Sequence, residues 1–257
     1  MKAIALALLF SLISLVSSPF NGAWLTDIPS AIQDSKPETF LLSQGKFTRG
    51  GPKSKISVKA DGRLHFIGRD NYVDEVSVSI LGPRKIREHN RLKGKLAYSI
   101  VYTVSPDATT MVRIVTDYSK PSQRPISTTI NYRRLGALQK SATPISGEWQ
   151  ITGLSSAKSD LIDVLELNGG RFSLRGAGGQ GYDAEIGGAP VPMAGDAASA
   201  RAAVTMPDDQ TIIVTMSLGG VPTVTMTMTM QPDGRTIKVA ASRLRDGSES
   251  NWLMLKQ

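Results

Sequence analysis

The chain has 257 residues, 40% of them hydrophobic, and its 30 Lys+Arg against 22 Asp+Glu give a formal net charge of +8. That is enough length and apolar content to bury a core in one or two domains. The absence of cysteine excludes disulfides and a lipid-modified N-terminal cysteine, so core packing and backbone ladders must hold the fold alone.

Met1-Lys2 is a short basic start, Ala3 to Val16 is apolar but too short for a membrane span, and small residues follow. This predicts a signal peptide over residues 1–21, cleaved between Ser18 and Ala23. A periplasmic or secreted protein is expected, with no transmembrane segment once mature. The charge beyond it is uneven: residues 24–140 hold 20 Lys+Arg and 10 Asp+Glu, and residues 141–257 hold 9 and 12. A basic N-terminal half fits an anionic partner, attraction between the halves, or a solvated surface that keeps the protein soluble.

The chain repeats itself. Gly22-Ala23-Trp24 matches Gly147-Glu148-Trp149, and Leu42 to Phe47 matches Leu167 to Phe172, both at an offset of 125 residues. Val76 to Ile80 matches Ala202 to Met206, Gly94 matches Gly220 and Asp107 matches Asp233, all at 126. One residue of drift over such a span predicts tandem duplication, with units at 22–136 and 147–257 and a linker at 137–146.

Within each unit, short alternating runs are punctuated by Gly, Pro, Asn and Asp. Thr223 to Ser242 is the clearest: Val224, Met226, Met228 and Met230 alternate with threonines, and Gln231-Pro232-Asp233-Gly234 turns the chain back. Val104 to Met111 repeats that hairpin, with Ala108 where the other copy has its turn glycine. Only Ser159 to Leu167 offers a turn of helix, on a Ser159 cap. The class is all-β, a pair of barrels or a duplicated sandwich.

The Gly-x-Trp entry to the first strand, the repeated hairpins and a basic residue on the last strand resemble the lipocalin-like β-barrels, and the Val-Ser-Pro-Asp run is similar to small secreted bacterial members. The resemblance implies two tandem antiparallel up-and-down barrels, each closed at one end by Trp24 or Trp149 under a cation from its own last strand. That cation would be Arg133 or Arg134 for Trp24 and Lys256 for Trp149.

Few groups promise chemistry. Gly176 to Gly181 fits G-x-G-x-x-G without the βαβ context a dinucleotide needs. His65 and His89 have Val191 and Thr215 as counterparts, so a histidine-based catalytic site is not expected. Met226, Met228 and Met230 could ligate Cu(I), but strand spacing and the lack of histidine favour an apolar interior. No metal, cofactor or nucleic acid is expected. Inward positions are Met216, Met226 and Met228 in one unit and Tyr98, Tyr102, Glu88 and Asn90 in the other, with Arg113 as partner for Glu88. If the register slips at Ala108, Val112 and Ile114 face inward instead of Arg113. The expected function is non-enzymatic binding of a small, largely apolar ligand inside a barrel. The alternative is an envelope or polyanion-binding protein using Arg84, Lys85, Arg87, Arg91, Lys93 and Lys95.

Overall fold

The computed structural model describes residues 18–33, 35–50, 55–68, 73–119, 124–176, 178–196, 198–244 and 247–257. Residues 1–17 of the expected signal peptide lie outside them, as does Ala177 of the glycine-rich motif. The first half of the chain forms β1 (Gly22–Asp27), the helix α1 (Ile28–Gln33), β2 (Glu38–Ser43), β3 (Lys46–Arg49), β4 (Ile56–Lys59), β5 (His65–Phe66), β6 (Glu75–Gly82), β7 (Lys85–Leu92), β8 (Lys95–Val104), β9 (Thr110–Asp117) and β10 (Ile126–Leu135). The second half forms β11 (Gly147–Ser155), a 3-10 turn at Lys158–Leu161, β12 (Ile162–Asn168), β13 (Arg171–Gly176), β14 (Gly181–Glu185), β15 (Val191–Pro192), β16 (Arg201–Asp208), β17 (Thr211–Leu218), β18 (Val221–Met230), β19 (Thr236–Arg243) and β20 (Glu249–Lys256).

These strands make two antiparallel, nearly closed ten-stranded barrels, the all-β class expected, and the sandwich alternative falls away. Barrel 1 has the order β4-β3-β2-β11-β10-β9-β8-β7-β6-β5, and barrel 2 the order β14-β13-β12-β1-β20-β19-β18-β17-β16-β15. Each is drawn shut at the same place, by the bridges Asp61 to Ser79 and Ile186 to Val204, which differ by 125 residues. Both repeats carry a bulge at one position, between Asn90 and Arg91 and between Met216 and Ser217. A bulge is a built feature rather than noise, so its recurrence ties the two folds together.

The first strands have changed places. β1 lies between β12 and β20 of barrel 2, and β11 lies between β2 and β10 of barrel 1. The expected linker at 137–146 therefore joins two neighbouring strands of one barrel. Barrel 1 is the continuous segment from β2 to β11, and it is set into barrel 2 between β1 and β12. Two edges of equivalent sequence compete for each Gly-x-Trp strand, and β10 captures the strand that follows it directly, the usual outcome for consecutive antiparallel strands.

The exchange corrects the pairing at the closed ends. Arg134 stands 4.1 Å over the Trp149 ring, while the Lys256 ammonium lies 5.3 Å from the Trp24 ring centre. Arg133 points outward and is exposed. Arg134 also donates to the carbonyls of Ala108 and Ser146 at 2.6 Å and to that of Pro144, fastening the β10–β11 connection down. The glycine of the motif makes room for the cation: a Cβ at Gly147 would collide with the Arg134 guanidinium, and its φ of +141° disfavours any side chain.

The period-two pattern sets the cores. Trp149, Phe40, Phe47, Tyr102, Tyr132 and Met111 are buried in barrel 1, and Trp24, Phe20, Leu165, Phe172, Ile212 and Met228 in barrel 2. Ala108 adopts φ +57° where Gly234 adopts +63°, and Asp107 braces its turn by accepting from the Thr109 backbone N–H at 3.1 Å. The register therefore does not slip: Met111 and Arg113 face in, while Val112 and Ile114 are exposed. Helix α1 was missed in the sequence, and the expected turn at Ser159 to Leu167 is mostly strand β12. Asp27 caps α1 through the Ser30 N–H at 3.1 Å, a signal present in Asp-Ile-Pro-Ser.

Candidate functional site

The interior of barrel 1 holds ionic groups, most of which have apolar counterparts in the interior of barrel 2. Arg49, from β3, reaches across to Glu88 on β7, with Nη2 to Oε1 at 2.6 Å and Nε to Oε2 at 2.9 Å. The Tyr102 hydroxyl donates to the same carboxylate at 3.1 Å. Arg113 on β9 donates to Glu38 on β2 at 2.7 Å and lies 5.1 Å from the Tyr132 ring centre, and the Tyr132 hydroxyl donates to Glu38 at 2.8 Å. The partner of Glu88 is Arg49 and not the expected Arg113, which is drawn toward Glu38 instead.

Burial opposes ionisation of Glu88, but the Arg49 guanidinium and its hydrogen bonds outweigh it and hold the carboxyl below the ordinary glutamate value. Burial, then the nearby Glu88 charge, pushes the Tyr102 hydroxyl well above its usual pKa. Tyr102 thus stays a neutral donor. Asn90, one inward position along β7, adds to the stabilisation of Glu88, yet neither its amide nitrogen nor its oxygen makes a hydrogen bond of ordinary geometry. Nε of Arg113 is also buried without an acceptor. Solvent reaches the edge of the cluster, since the side chains of Arg49, Arg113 and Glu38 are 23%, 16% and 34% exposed.

Glu38 keeps an acidic counterpart, Asp163, paired with Trp24 as Glu38 is with Trp149, but the repeat offset and strand register give apolar counterparts in barrel 2 for the other six: Leu174 for Arg49, Val214 for Glu88, Met216 for Asn90, Met228 for Tyr102, Val239 for Arg113 and Met254 for Tyr132. All six are apolar and belong to or pack against that core. Barrel 2 keeps a buried Tyr182 hydroxyl that makes no hydrogen bond. Comparison with known protein families, curated proteins and solved structures finds no match to this chain. The lipocalin-like resemblance therefore stands on architecture alone, with which two nearly closed tandem barrels are consistent.

The expected ligand-contacting residues fall into two groups. Met216, Met226 and Met228 line barrel 2, where Met228 is fully buried and the other two pack against its core. Tyr98, Tyr102, Glu88 and Arg113 lie in barrel 1, so one site does not unite the set. Sequence reasoning missed Arg49, Glu38 and Tyr132. Glu38 and Arg49 fall on the short strands β2 and β3, and contacts across a barrel leave no trace in strand periodicity.

The basic hairpin lies on the outer wall of barrel 1. Arg84, Lys85, Arg87, Lys93 and Lys95 are exposed and Arg91 is half-buried. None of the six forms an ion pair among the described residues. His89 lies between Arg87 and Arg91 on β7, and partial burial with these two cations lowers its pKa. His65 bonds Asp61 at 2.8 Å beside the seam of barrel 1. Gly176 and Gly179 belong to the β13–β14 hairpin turn, where the Gly176 N–H bonds the Gln180 carbonyl at 2.8 Å, so the glycine-rich motif serves a turn. Among the described residues, no three or more His, Asp or Glu side chains converge, and no helix is long and apolar enough to cross a membrane.

Proposed function

We propose that this is an exported, non-enzymatic binding protein whose ligand enters the polar interior of barrel 1. The ligand is a small molecule with an apolar body and one hydrogen-bonding group. The observation that carries this reading is the asymmetry between the copies. Buried ion pairs usually contribute less stability than well-packed apolar residues of the same volume. Barrel 2 demonstrates in this same chain that the fold accepts the apolar solution. A polar interior with an unsatisfied Asn90 amide then answers to a partner that the amide recognises, while Leu92, Tyr98 and Val115 supply apolar contact around it. Barrel 2 serves as the packed scaffold. Export rests on the Met1–Val16 segment.

Native mass spectrometry of protein purified from the envelope of the producing cell tests this. The expected result is a co-purifying small molecule that disappears when Arg49, Glu88 and Asn90 are replaced by their barrel 2 counterparts Leu, Val and Met. A ligand retained by that triple variant, or none found in the parent, would refute the reading.

A second reading is favoured by one observation. The unpaired cations of β7 and its turns have no charged counterpart in residues 210–221 of barrel 2, which supports binding of an anionic partner along that wall. Its test is retention on heparin. Retention should fall with salt and with Arg87→Glu plus Arg91→Glu, and salt-insensitive retention would exclude it.

A further inference from the structure

The tip of the β6–β7 hairpin, at the closed end of barrel 1, combines exposed apolar and cationic side chains. Ile80 and Leu81 are 51% and 44% exposed, and Gly82-Pro83 then turns the chain into exposed Arg84 and Lys85. The Arg84 carbonyl accepts from the Val104 N–H at 2.9 Å, which fixes the tip against β8. Beside it lies a surface depression of about 490 Å³ lined by Pro83, Arg84, Lys85, Thr103, Pro106 and Val112 among others. A second depression of about 350 Å³, lined by Leu41, Ile80 and Gln139 among others, lies on the other side of the tip. Leu41 and Val112 are themselves exposed, so apolar surface surrounds the tip.

The other copy argues that this composition is particular to barrel 1. At the equivalent positions barrel 2 has Met206-Pro207-Asp208-Asp209-Gln210-Thr211, with Glu166 in place of Leu41 and Lys238 in place of Val112. The same hairpin end is thus apolar and basic in one copy, and largely acidic and polar in the other.

From this juxtaposition we propose that the closed end of barrel 1 docks onto an anionic lipid bilayer. The inference sharpens the anionic-partner reading and rests on it. Ile80 and Leu81 enter the interfacial layer, Arg84 and Lys85 meet lipid phosphates, and the depression between the hairpin tips receives a headgroup. A soluble polyanion would be satisfied by the cations and would gain nothing from Ile80 and Leu81. A bilayer surface offers anionic oxygens and an apolar layer a few ångströms apart, and the tip holds cationic and exposed apolar side chains as close neighbours, Arg84 and Lys85 at the turn and Ile80 and Leu81 just behind them.

The test uses the full chain with phosphatidylcholine vesicles, with and without phosphatidylglycerol. The parent should sediment with the anionic vesicles only. Ile80→Ser with Leu81→Ser should lower that partitioning about tenfold while leaving retention on heparin unchanged, since only the apolar contact is lost. Arg84→Gln with Lys85→Thr, the barrel 2 residues, should weaken both. Leu81→Trp gives a readout independent of partitioning, an emission shift to shorter wavelength on anionic vesicles. Sedimentation of the serine variant like the parent, or no shift for Leu81→Trp, overturns the proposal. Retention on heparin without vesicle binding overturns it and leaves the anionic-partner reading standing. Failure on both matrices removes both.

Discussion

Glu88→Gln would leave the Arg49 guanidinium buried against a neutral amide, and breaking one side of a buried pair costs about 3–5 kcal/mol. Replacing both partners by their barrel 2 counterparts, Arg49→Leu with Glu88→Val, should recover most of that loss, because apolar groups of similar volume often match a buried pair. Urea unfolding of the parent and the two variants measures the difference, and a double variant no more stable than Glu88→Gln would mean that shape rather than charge sets the cost. The pair also makes stability depend on pH. Glu88 has a folded pKa below the unfolded glutamate value of about 4.3, so its contribution is present above that value and is lost as pH falls through the lowered one. The parent should therefore lose stability in acid more steeply than the double variant. Ala108 makes a related point about legibility. Its replacement of a turn glycine raised the possibility of a slipped register, yet alanine tolerates the left-handed conformation here because Asp107 and the Arg134 bond to its own carbonyl brace the turn.

The elements repeat faithfully, and much of them was legible. Alternation located β8 and β18, the two Pro-Asp turns located their hairpins, and Gly-x-Trp marked both first strands. Which barrel each first strand enters was not legible, because β1 and β11 carry the same motif and each open edge accepts either. Nothing local distinguishes Trp24 from Trp149, and the choice is made by the nearness of β10 to β11 in the chain. The exchange changes what each tryptophan should stabilise. Trp149→Ala should cost about 3–5 kcal/mol and loosen barrel 1, and Trp24→Ala should do the same to barrel 2, although each lies at the start of the other repeat. Hydrogen exchange resolved by strand checks this: Trp149→Ala should raise exchange in β8 and β9 and spare β17 and β18. The reverse pattern would contradict the strand order.

At the level of the molecule, the repeats seen in sequence and the barrels seen in space are different objects. Cutting near Ala142, between the repeats, would separate β11 from barrel 1 and β1 from barrel 2. The two pieces should associate into a stable one-to-one complex, whereas residues 36–156 should fold alone with a cooperative transition, because they carry every strand of barrel 1. Size-exclusion chromatography and thermal melts distinguish this from two independent halves, which would elute separately and unfold without regard to mixing.

The nested arrangement also decides where mechanical load goes. β1 and β20 lie side by side, and the Gln257 N–H bonds the Ala23 carbonyl at 2.9 Å, so both termini of the described chain leave from the same end of barrel 2. Tension applied there unzips β1 from β20 before any force can reach the inserted segment. In a single-molecule pulling experiment the methionine-lined barrel should give way first and the ionic barrel second, in a fixed order. A tug on the ends of this chain is thus borne by one barrel, and the other is sheltered behind it.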